Sequence, residues 1–419
     1  MSQEIPVDVL ILGGGIQGAT LMRALIPEYS VILVDDEFGD AESLHFHGYF
    51  SSGWNAANPQ AAEIHRAAAQ RWHKELATSG VNSRITDFHA ALTPDFLKMV
   101  EGNWAEAAIP SEEVELPGIF DPDGLPPNRR FRFPGDLIFD GAAAYLSVSE
   151  PLRQQIYRGR LASFQLAGSD IERVILDMDG RSCAVKPELV ISACGAGNAE
   201  VIRQLGVAEE QVQNSQMVRP LHMLLARGPD IPKVSAYLID LMVMHHPLEE
   251  GEGLWILTLN PDVPKFKAGV VDRCIPPEIE NDLLCASFKR LASVMPSFAA
   301  WAEECQWSVY AGWKTDAPGP NSDPLVHLEY PTPYQLDDFG LKNFLAVWPN
   351  HWGLALDVAD DAGEWVRSKL KPHHPQPGSN SGLPAGTGSG HTIENGWQSD
   401  ELLWHSWGEF ARQVGYHNE

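Results

Sequence analysis

The chain has 419 residues, 44% hydrophobic and 21% charged, which is the composition of a soluble globular protein too long for one core, so two domains are expected. Its formal charge of -26 repels nucleic acid and anionic membranes, and an anionic substrate would need a local cationic pocket. The five cysteines (Cys183, Cys194, Cys274, Cys285, Cys305) lack metal-ligand spacing, and no leader or long apolar run is evident, so a reduced, cytoplasmic protein without a membrane span or bound metal is expected.

The first element is an apolar strand, Val7 to Leu12, that runs into Gly13-Gly14-Gly15-Ile16-Gln17-Gly18. Gly13 permits a tight turn, Gly15 lets backbone approach a pyrophosphate, and Gly18 allows the next helix to pack closely. That helix spans Ile16 to Ile26 and is stopped by Pro27; a parallel strand, Ser30 to Val34, then delivers Asp35 and Asp36. Asp35 can accept hydrogen bonds from a ribose diol and repels a 2'-phosphate, so the unit predicts a dinucleotide other than NADP.

A second helix is announced by Asn58 as cap and Pro59 at its first position, and stops at Ser79-Gly80. A third is predicted from Ser149, with Pro151, to Gly159. Strands follow at Leu161 to Leu166, Ile171 to Leu176, Ser182 to Val185 and Leu189 to Ala193, with a Met178-Asp179-Gly180 turn between the second and third. The last runs into Cys194-Gly195-Ala196-Gly197, and Asn198 caps a short helix ended by Gly206, a second approach of backbone to a nucleotide at Ala193, Gly195 and Gly197.

From Met217 the pattern changes to antiparallel strands at Met217 to Leu225, Ala236 to Met244 and Leu254 to Leu259. A helix from Glu280 to Met295 places Leu283, Leu284, Phe288, Leu291 and Met295 on one face. A strand at Gln306 to Ala311, another at Phe344 to Trp348 and a helix from Gly353 to Leu370 complete the ordered pattern. Residues 372–396 read as a flexible linker, and Trp397 to Tyr416 as a tail able to dock as a short aromatic helix.

The glycine motif alone does not separate NAD from FAD. Four segments in order, Val7 to Asp35, Pro187 to Asn198, Ala311-Gly312-Trp313-Lys314 and Pro349-Asn350-His351-Trp352-Gly353-Leu354, resemble the D-amino-acid oxidase-like family of FAD-dependent oxidoreductases. That family includes glycine and sarcosine oxidases, FAD glycerol-3-phosphate dehydrogenases and 2-hydroxyglutarate oxidases. The resemblance covers residues 5–370 and implies that Ser43-Leu44-His45-Phe46-His47-Gly48-Tyr49 runs under an isoalloxazine. It predicts an α/β fold with a Rossmann-like FAD-binding domain (residues 1–90, 140–215 and 310–371) interleaved with a mainly antiparallel sheet substrate domain (91–139 and 216–309). The linker (372–396) and tail (397–419) lie beyond it.

Such a site takes a hydride from a carbon bearing nitrogen or oxygen. Gly353 and Leu354, opening the last helix, are the expected contact for developing charge on the flavin, with Asn350 and His351 beside them. Lys314 stands where the family holds an arginine for a substrate carboxylate, and a lysine lacks the bidentate fork. His47 and His351 are the candidate bases, a role that an alcohol needs more than an amine. The expected cofactor contacts are therefore Gly13, Gly15, Ile16, Gln17, Gly18, Asp35, Asp36, Ser43, His45, His47, Gly48, Ala193, Gly195, Gly197, Asn350, His351, Gly353 and Leu354. Lys314, His47 and His351 are the expected catalytic groups. Nine of the 13 tryptophans lie beyond residue 300, enough to wall a dry pocket.

The function expected is oxidation of a small amino acid or amine at a CH-NH carbon. The alternatives are a CH-OH carbon of a 2-hydroxy acid or glycerol phosphate, or a flavin-holding partner protein without catalysis. Oxygen, a quinone and a protein all remain open as electron acceptor.

Overall fold

The computed structural model describes residues 4–36, 42–56, 58–248, 251–259, 269–317, 333–372, 374–376, 397 and 402–416. In chain order, strand β1 (Ile5–Leu12), helix α1 (Ile16–Leu25) and β2 (Val31–Asp35) form a parallel βαβ unit, Val9 pairing with Val31 and Leu12 with Val34. After β3 (Tyr49–Phe50), α2 (Pro59–Ser79) begins where Asn58 Oδ1 accepts the Ala61 N–H at 2.7 Å and ends at Gly80 with φ 72°, so both of its boundaries follow from its caps.

Then come β4 (Ser83–Leu92), α3 (Pro94–Glu106), β5 (Glu112–Glu113) and β6 (Arg129–Phe139), a region in which the sequence pattern announced no elements. The helix expected from Ser149 instead ends there. α4 is Gly141–Ser149, started by Asp140, whose side chain accepts the Ala143 N–H at 2.9 Å; a 3-10 turn and β7 (Ile156–Arg158) follow. Because α4 is buried on most sides, its Ala-rich run lacks the one-sided apolar stripe that marks a surface helix.

β8 (Arg160–Ala167), β9 (Asp170–Met178) and β10 (Arg181–Ser192) form an antiparallel meander, with Asp179 and Gly180 at positive φ in the turn. The two strands expected on either side of Pro187 are one. β10 pairs with β9 through Val185 and with β1 from there on, so a missing amide hydrogen at Pro187 does not end it. α5 (Asn198–Gln204) and α6 (Glu209–Gln213) lead to β11 (Met217–Gly228), β12 (Ala236–Leu238), β13 (Leu241–Pro247) and β14 (Gly253–Leu259). The single strand expected at 236–244 is a hairpin turning at Ile239, φ 71°.

α7 (Asn281–Val294), α8 (Phe298–Glu303), β15 (Gln306–Asp316), β16 (Gln335–Asp337), β17 (Phe344–Trp348), α9 (Ala355–Lys369), β18 (His405–Ser406) and α10 (Trp407–Val414) complete the chain. β15 runs five residues past the expected end at Ala311, held in register by β11 to Asp316.

Among the described residues the strands make two sheets. The first, ordered β16-β17-β10-β1-β2-β7 with β9 and β8 attached, is parallel at its centre. One face packs on α1, α2, α4 and α9 through Leu21, Trp72, Tyr145 and Val366; the other packs on α5 and the meander through Leu10, Ile32, Val174 and Ile202. The second is ordered β18-β15-β11-β14-β13-β12-β4-β6-β3, with β5 on β6, and all its pairings but β12 with β4 are antiparallel. It includes β3 and β4, so the chain enters this sheet earlier than residue 91.

Alternation along β11 builds both faces of the second sheet. Leu224 and Ala226 join Trp255, Phe288 and Trp307 under α7, α8 and α10, whereas Met223 and Leu225 join Trp54, Phe88 and Phe133 on the opposite side. The tail therefore docks as expected: Trp407 meets Phe288 edge-on at 4.9 Å, and Ser406 with Glu409 forms a capping box. Of the expected linker, Gln376 hydrogen-bonds both the N–H and the C=O of Val31, pinning this part of the chain to β2; residues 377–396 lie outside the described residues. No helix among the described residues is long and apolar enough to cross a membrane.

Candidate active site

The glycine turn after β1 folds as its residues require. Gly13 has φ +98°, and a Cβ there would lie 2.5 Å from the Ala193 carbonyl oxygen; one on Gly18 would lie 1.8 Å from the Gly13 carbonyl oxygen. The β1 and β10 loops thus press backbone to backbone. Asp35 accepts the Gly14 N–H at 2.6 Å, Ser43 Oγ accepts the Ile16 N–H at 3.0 Å, and Tyr145 donates to the Gly14 carbonyl at 2.7 Å.

Asn198 does more than open α5. Its Oδ1 accepts from the Ser192 hydroxyl and the Cys194 N–H, and its Nδ2 donates to the Val347 carbonyl, fixing the loop after β10 against β17.

A cavity of about 920 Å³ opens over this floor. Of the expected cofactor contacts, Gly13, Gly15, Ile16, Gln17, Asp35, Asp36, Ser43, Ala193, Gly195 and Gly197 line it. The opposite wall comes from the second layer, with Arg273 and Tyr310 to Trp313, none of which the motifs indicated as cofactor contacts.

The elongated floor of glycines and small residues, where a Cβ would collide at Gly13, suits a dinucleotide. Gln17 adds a buried Oε1 with no hydrogen-bond partner among the described residues, its Nε2 being given to the Ala355 carbonyl. These residues fit FAD: the glycine turn and Ser43 would face its pyrophosphate, and Asp35 its ribose.

The remaining expected contacts do not line this cavity, although Pro349, next to Asn350, and Tyr310, stacked on His45, do. Gly18 is behind the turn. His45 stacks on Tyr310 at 4.3 Å and meets Trp397 edge-on at 5.6 Å, so a tail residue reaches the loop expected to run under the flavin. Gly48 has φ +67°, and a Cβ there would strike the Phe139 carbonyl at 2.0 Å.

Gly353 and Leu354 lie in a 3-10 turn ahead of α9, which starts two residues later than expected. Gly353 has a packing reason of its own: a Cβ would lie 2.1 Å from the Phe50 ring, and Trp72 Nε1 donates to its carbonyl at 2.6 Å. His351 meets His65 edge-on at 5.0 Å.

The face of the second sheet that carries Tyr310 also carries charge. Lys314 and Arg219 are directly opposed across β15 and β11, one step beyond Gly312 opposite Leu221 and two beyond Tyr310 opposite Met223. The Lys314 ammonium pairs with Asp316 and lies 3.3 Å from the Asn350 carbonyl, while Asn350 Oδ1 accepts the Ala317 N–H at 2.6 Å. Arg219 Nε stands 3.8 Å from the other oxygen of Asp316, which is fully buried, and has no hydrogen-bond partner among the described residues. Burial holds Lys314 below the usual lysine range, with Asp316 acting against that and Arg219 adding to it. Two cations therefore share one carboxylate.

His47 sits nearby. Its Nδ1 accepts the Tyr49 N–H at 3.2 Å, and its carbonyl lies 2.8 Å from His246 Nε2. Burial, with the neighbouring His246 and Lys314, pushes His47 down to about 3; burial likewise lowers His246 to about 4. At neutral pH the His47 ring is uncharged, and with Nδ1 accepting, its proton is on Nε2, which is then a donor. Acting as the expected base would require Nδ1 to release Tyr49. Arg219, Asp316, Tyr310 and His246 carry no motif that marks them as site residues, and the cross-strand register alone brings them together.

A family model described as FAD dependent oxidoreductase matches residues 8–342. A probable FAD-dependent oxidoreductase of Pseudomonas aeruginosa is 24% identical over 414 residues, 92% of this chain and 96% of that relative. Its crystal structure superposes with a TM-score of 0.61 at 20% identity, over 90% of this chain and 97% of that one. Glycine oxidase from Geobacillus kaustophilus gives 0.65 at 13% identity (87% and 96% covered), and L-alpha-glycerophosphate oxidase from Mycoplasma pneumoniae, with FAD bound, 0.68 at 14% (90% and 98%). With the glycine turn, the cavity and two-layer fold in agreement, the chain belongs to the FAD-dependent oxidoreductase family.

Proposed function

We propose that this enzyme removes a hydride from the CH-NH carbon of a small amino acid whose carboxylate is held at Arg219 and Lys314. The observation that carries the reading is the pair of cations, Arg219 and Lys314, facing the one buried carboxylate of Asp316 on the sheet face that stacks against the loop expected under the flavin. In a chain of net charge -26 such a spot attracts a small anion where the rest of the surface repels it. FAD, when bound, supplies the hydride acceptor.

The chain's own residues would bind and orient. Arg219 offers a planar fork to the carboxylate, Lys314 a point charge, and Tyr310 with Trp397 an aromatic wall that excludes water. His47 Nε2–H would donate to the substrate or to the ring system beside it. A 2-hydroxy acid would meet the same cations, but its hydroxyl proton needs an acceptor, and imidazoles with affinities as low as those of His47 and His246 are poor ones. A neutral amine needs none, which supports the CH-NH reading. Glycine oxidase and L-alpha-glycerophosphate oxidase both share the fold, so the fold by itself favours neither substrate class.

The test is anaerobic mixing of the FAD-loaded enzyme with amines, amino acids, hydroxy acids and glycerol phosphate while flavin absorbance is followed. Bleaching by amino acids is the expected result. Bleaching confined to hydroxy acids or glycerol phosphate would overturn the reading.

A further inference from the structure

Residues 269–280 run along the nucleotide cavity and lead into α7. Val270, Arg273, Pro276 and Pro277 line the same cavity as Gly13, Gly15 and Asp35, facing the glycine floor. Both flanks of this segment are fastened. At its start a Cβ on Gly269 would lie 2.0 Å from the Gln213 carbonyl oxygen, so the backbone is seated directly on the end of α6. Toward its end Trp313 Nε1 donates to the Ile275 carbonyl at 2.8 Å, and His222 Nε2 lies 3.0 Å from the Glu278 carbonyl and 3.1 Å from the Glu280 N–H nitrogen.

The middle of the segment is held through side chains. The Arg273 guanidinium pairs with Asp36 just beyond β2, and its stem lies over Gly197, 3.5 Å from where a Cβ would be. Arg273 thus bridges this segment to the first layer across the cavity mouth, with about a third of each partner's side chain exposed.

We propose that residues 269–280 are a strap retaining FAD in its cleft and that the Arg273–Asp36 ion pair is its latch. Asp35 and Asp36 are consecutive acids lining the cavity that would hold the anionic cofactor. Pairing Asp36 with Arg273 removes one like charge from that place and closes the exit with the same contact. The prolines Pro276 and Pro277 restrict the backbone next to the latch, so opening is expected to hinge on the ion pair more than on free motion of the strap.

The experiment measures release of FAD from the holoenzyme, as the activity gained by an excess of an apo-flavoprotein trap that captures each FAD released. R273Q and D36N should each speed release about fivefold, the effect of a partly exposed ion pair. The double variant should be no faster than either single one, because both remove one contact. Added salt should speed release from the unaltered protein and leave R273Q nearly unaffected. An unchanged rate in R273Q overturns the proposal. So does fast release in R273Q with normal release in D36N, since Arg273 would then act on the cofactor directly, and so does an additive double variant.

Discussion

The nucleotide cleft and the charged sheet face are built in opposite ways. The cleft floor is backbone: Gly13, and Gly18 behind it, matter for the atoms they lack, and with Gly15 and Gly197 they lie within short segments that end a strand and start a helix or turn. The sheet face is made of side chains from separated parts of the chain, His47, Arg219, His246, Lys314 and Asn350, each meaningful only opposite another. A backbone site tolerates no added atom, whereas a side-chain site distributes its work and fails by degrees.

That contrast is broken or sharpened first at Gly13. An alanine there would need φ near +98° and would place its Cβ 2.5 Å from the Ala193 carbonyl oxygen. The strain alone is worth about 1–3 kcal/mol, and the collision adds to it. G13A should therefore be purified without flavin, as an absorbance spectrum would show; a normally yellow G13A protein would mean that the floor is not where the cofactor lies.

On the sheet face the two cations should fail differently. K314M takes the ammonium away from the fully buried Asp316 carboxylate, and removing one partner of a buried pair costs roughly 3–5 kcal/mol; thermal unfolding should show most of that loss. Turnover of an anionic substrate should also fall, with flavin content intact. R219Q removes a cation whose nearest carboxylate contact is 3.8 Å, so stability should change little while kcat/KM for the preferred amino acid falls ~30-fold, the value of a charge-assisted hydrogen bond of about 2 kcal/mol. If R219Q melts early and binds substrate normally, Arg219 is a structural partner of Asp316 and the cation reading fails.

The legibility of the two regions followed their construction. Val7 to Asp35, the Asn58 cap and the Gly80 stop were readable because the physics that forms them acts within a few residues. Lys314 was visible as a departure from a family motif, but its partner Arg219 was not, since nothing near Arg219 says that β11 will run antiparallel to β15 in that register. The same blindness joined β12 to β13 as one strand and divided β10 at Pro187, where the deciding neighbour was another strand. The stretch from β4 to β6 went unread for a related reason: charged residues such as Arg129, Arg130 and Arg132 alternate with Phe131 and Phe133, and their partners Glu113, Glu115 and Glu112 come from elsewhere in the chain.

Acid should expose the sheet face before the cleft. His246 titrates near 4 when folded and near 6.5 when unfolded, so below pH 6.5 the unfolded chain binds a proton that the folded one refuses. Stability is then full above about pH 6.5 and declines as pH falls toward 4, by up to ~1.4 kcal/mol per pH unit for one histidine. Denaturant titrations of H246N between pH 7 and pH 5 should show a flatter decline than the unaltered protein. An equal slope would place the acid sensitivity elsewhere.

The smallest expected effect is at His47, and it separates a donor from a base. With Nδ1 accepting from Tyr49 N–H, the ring works as a neutral Nε2–H donor. H47Q keeps an N–H donor at the reach of Nε2, so its loss in kcat should be no more than about threefold, under 1 kcal/mol. A proton acceptor cannot be replaced in that way: if His47 took the substrate proton, H47Q would lose on the order of 10²–10⁴ in kcat. The acidic limb of the pH-rate profile would then disappear with the side chain. A large loss in H47Q would return the alcohol substrates to the front, because they are the ones that need the acceptor.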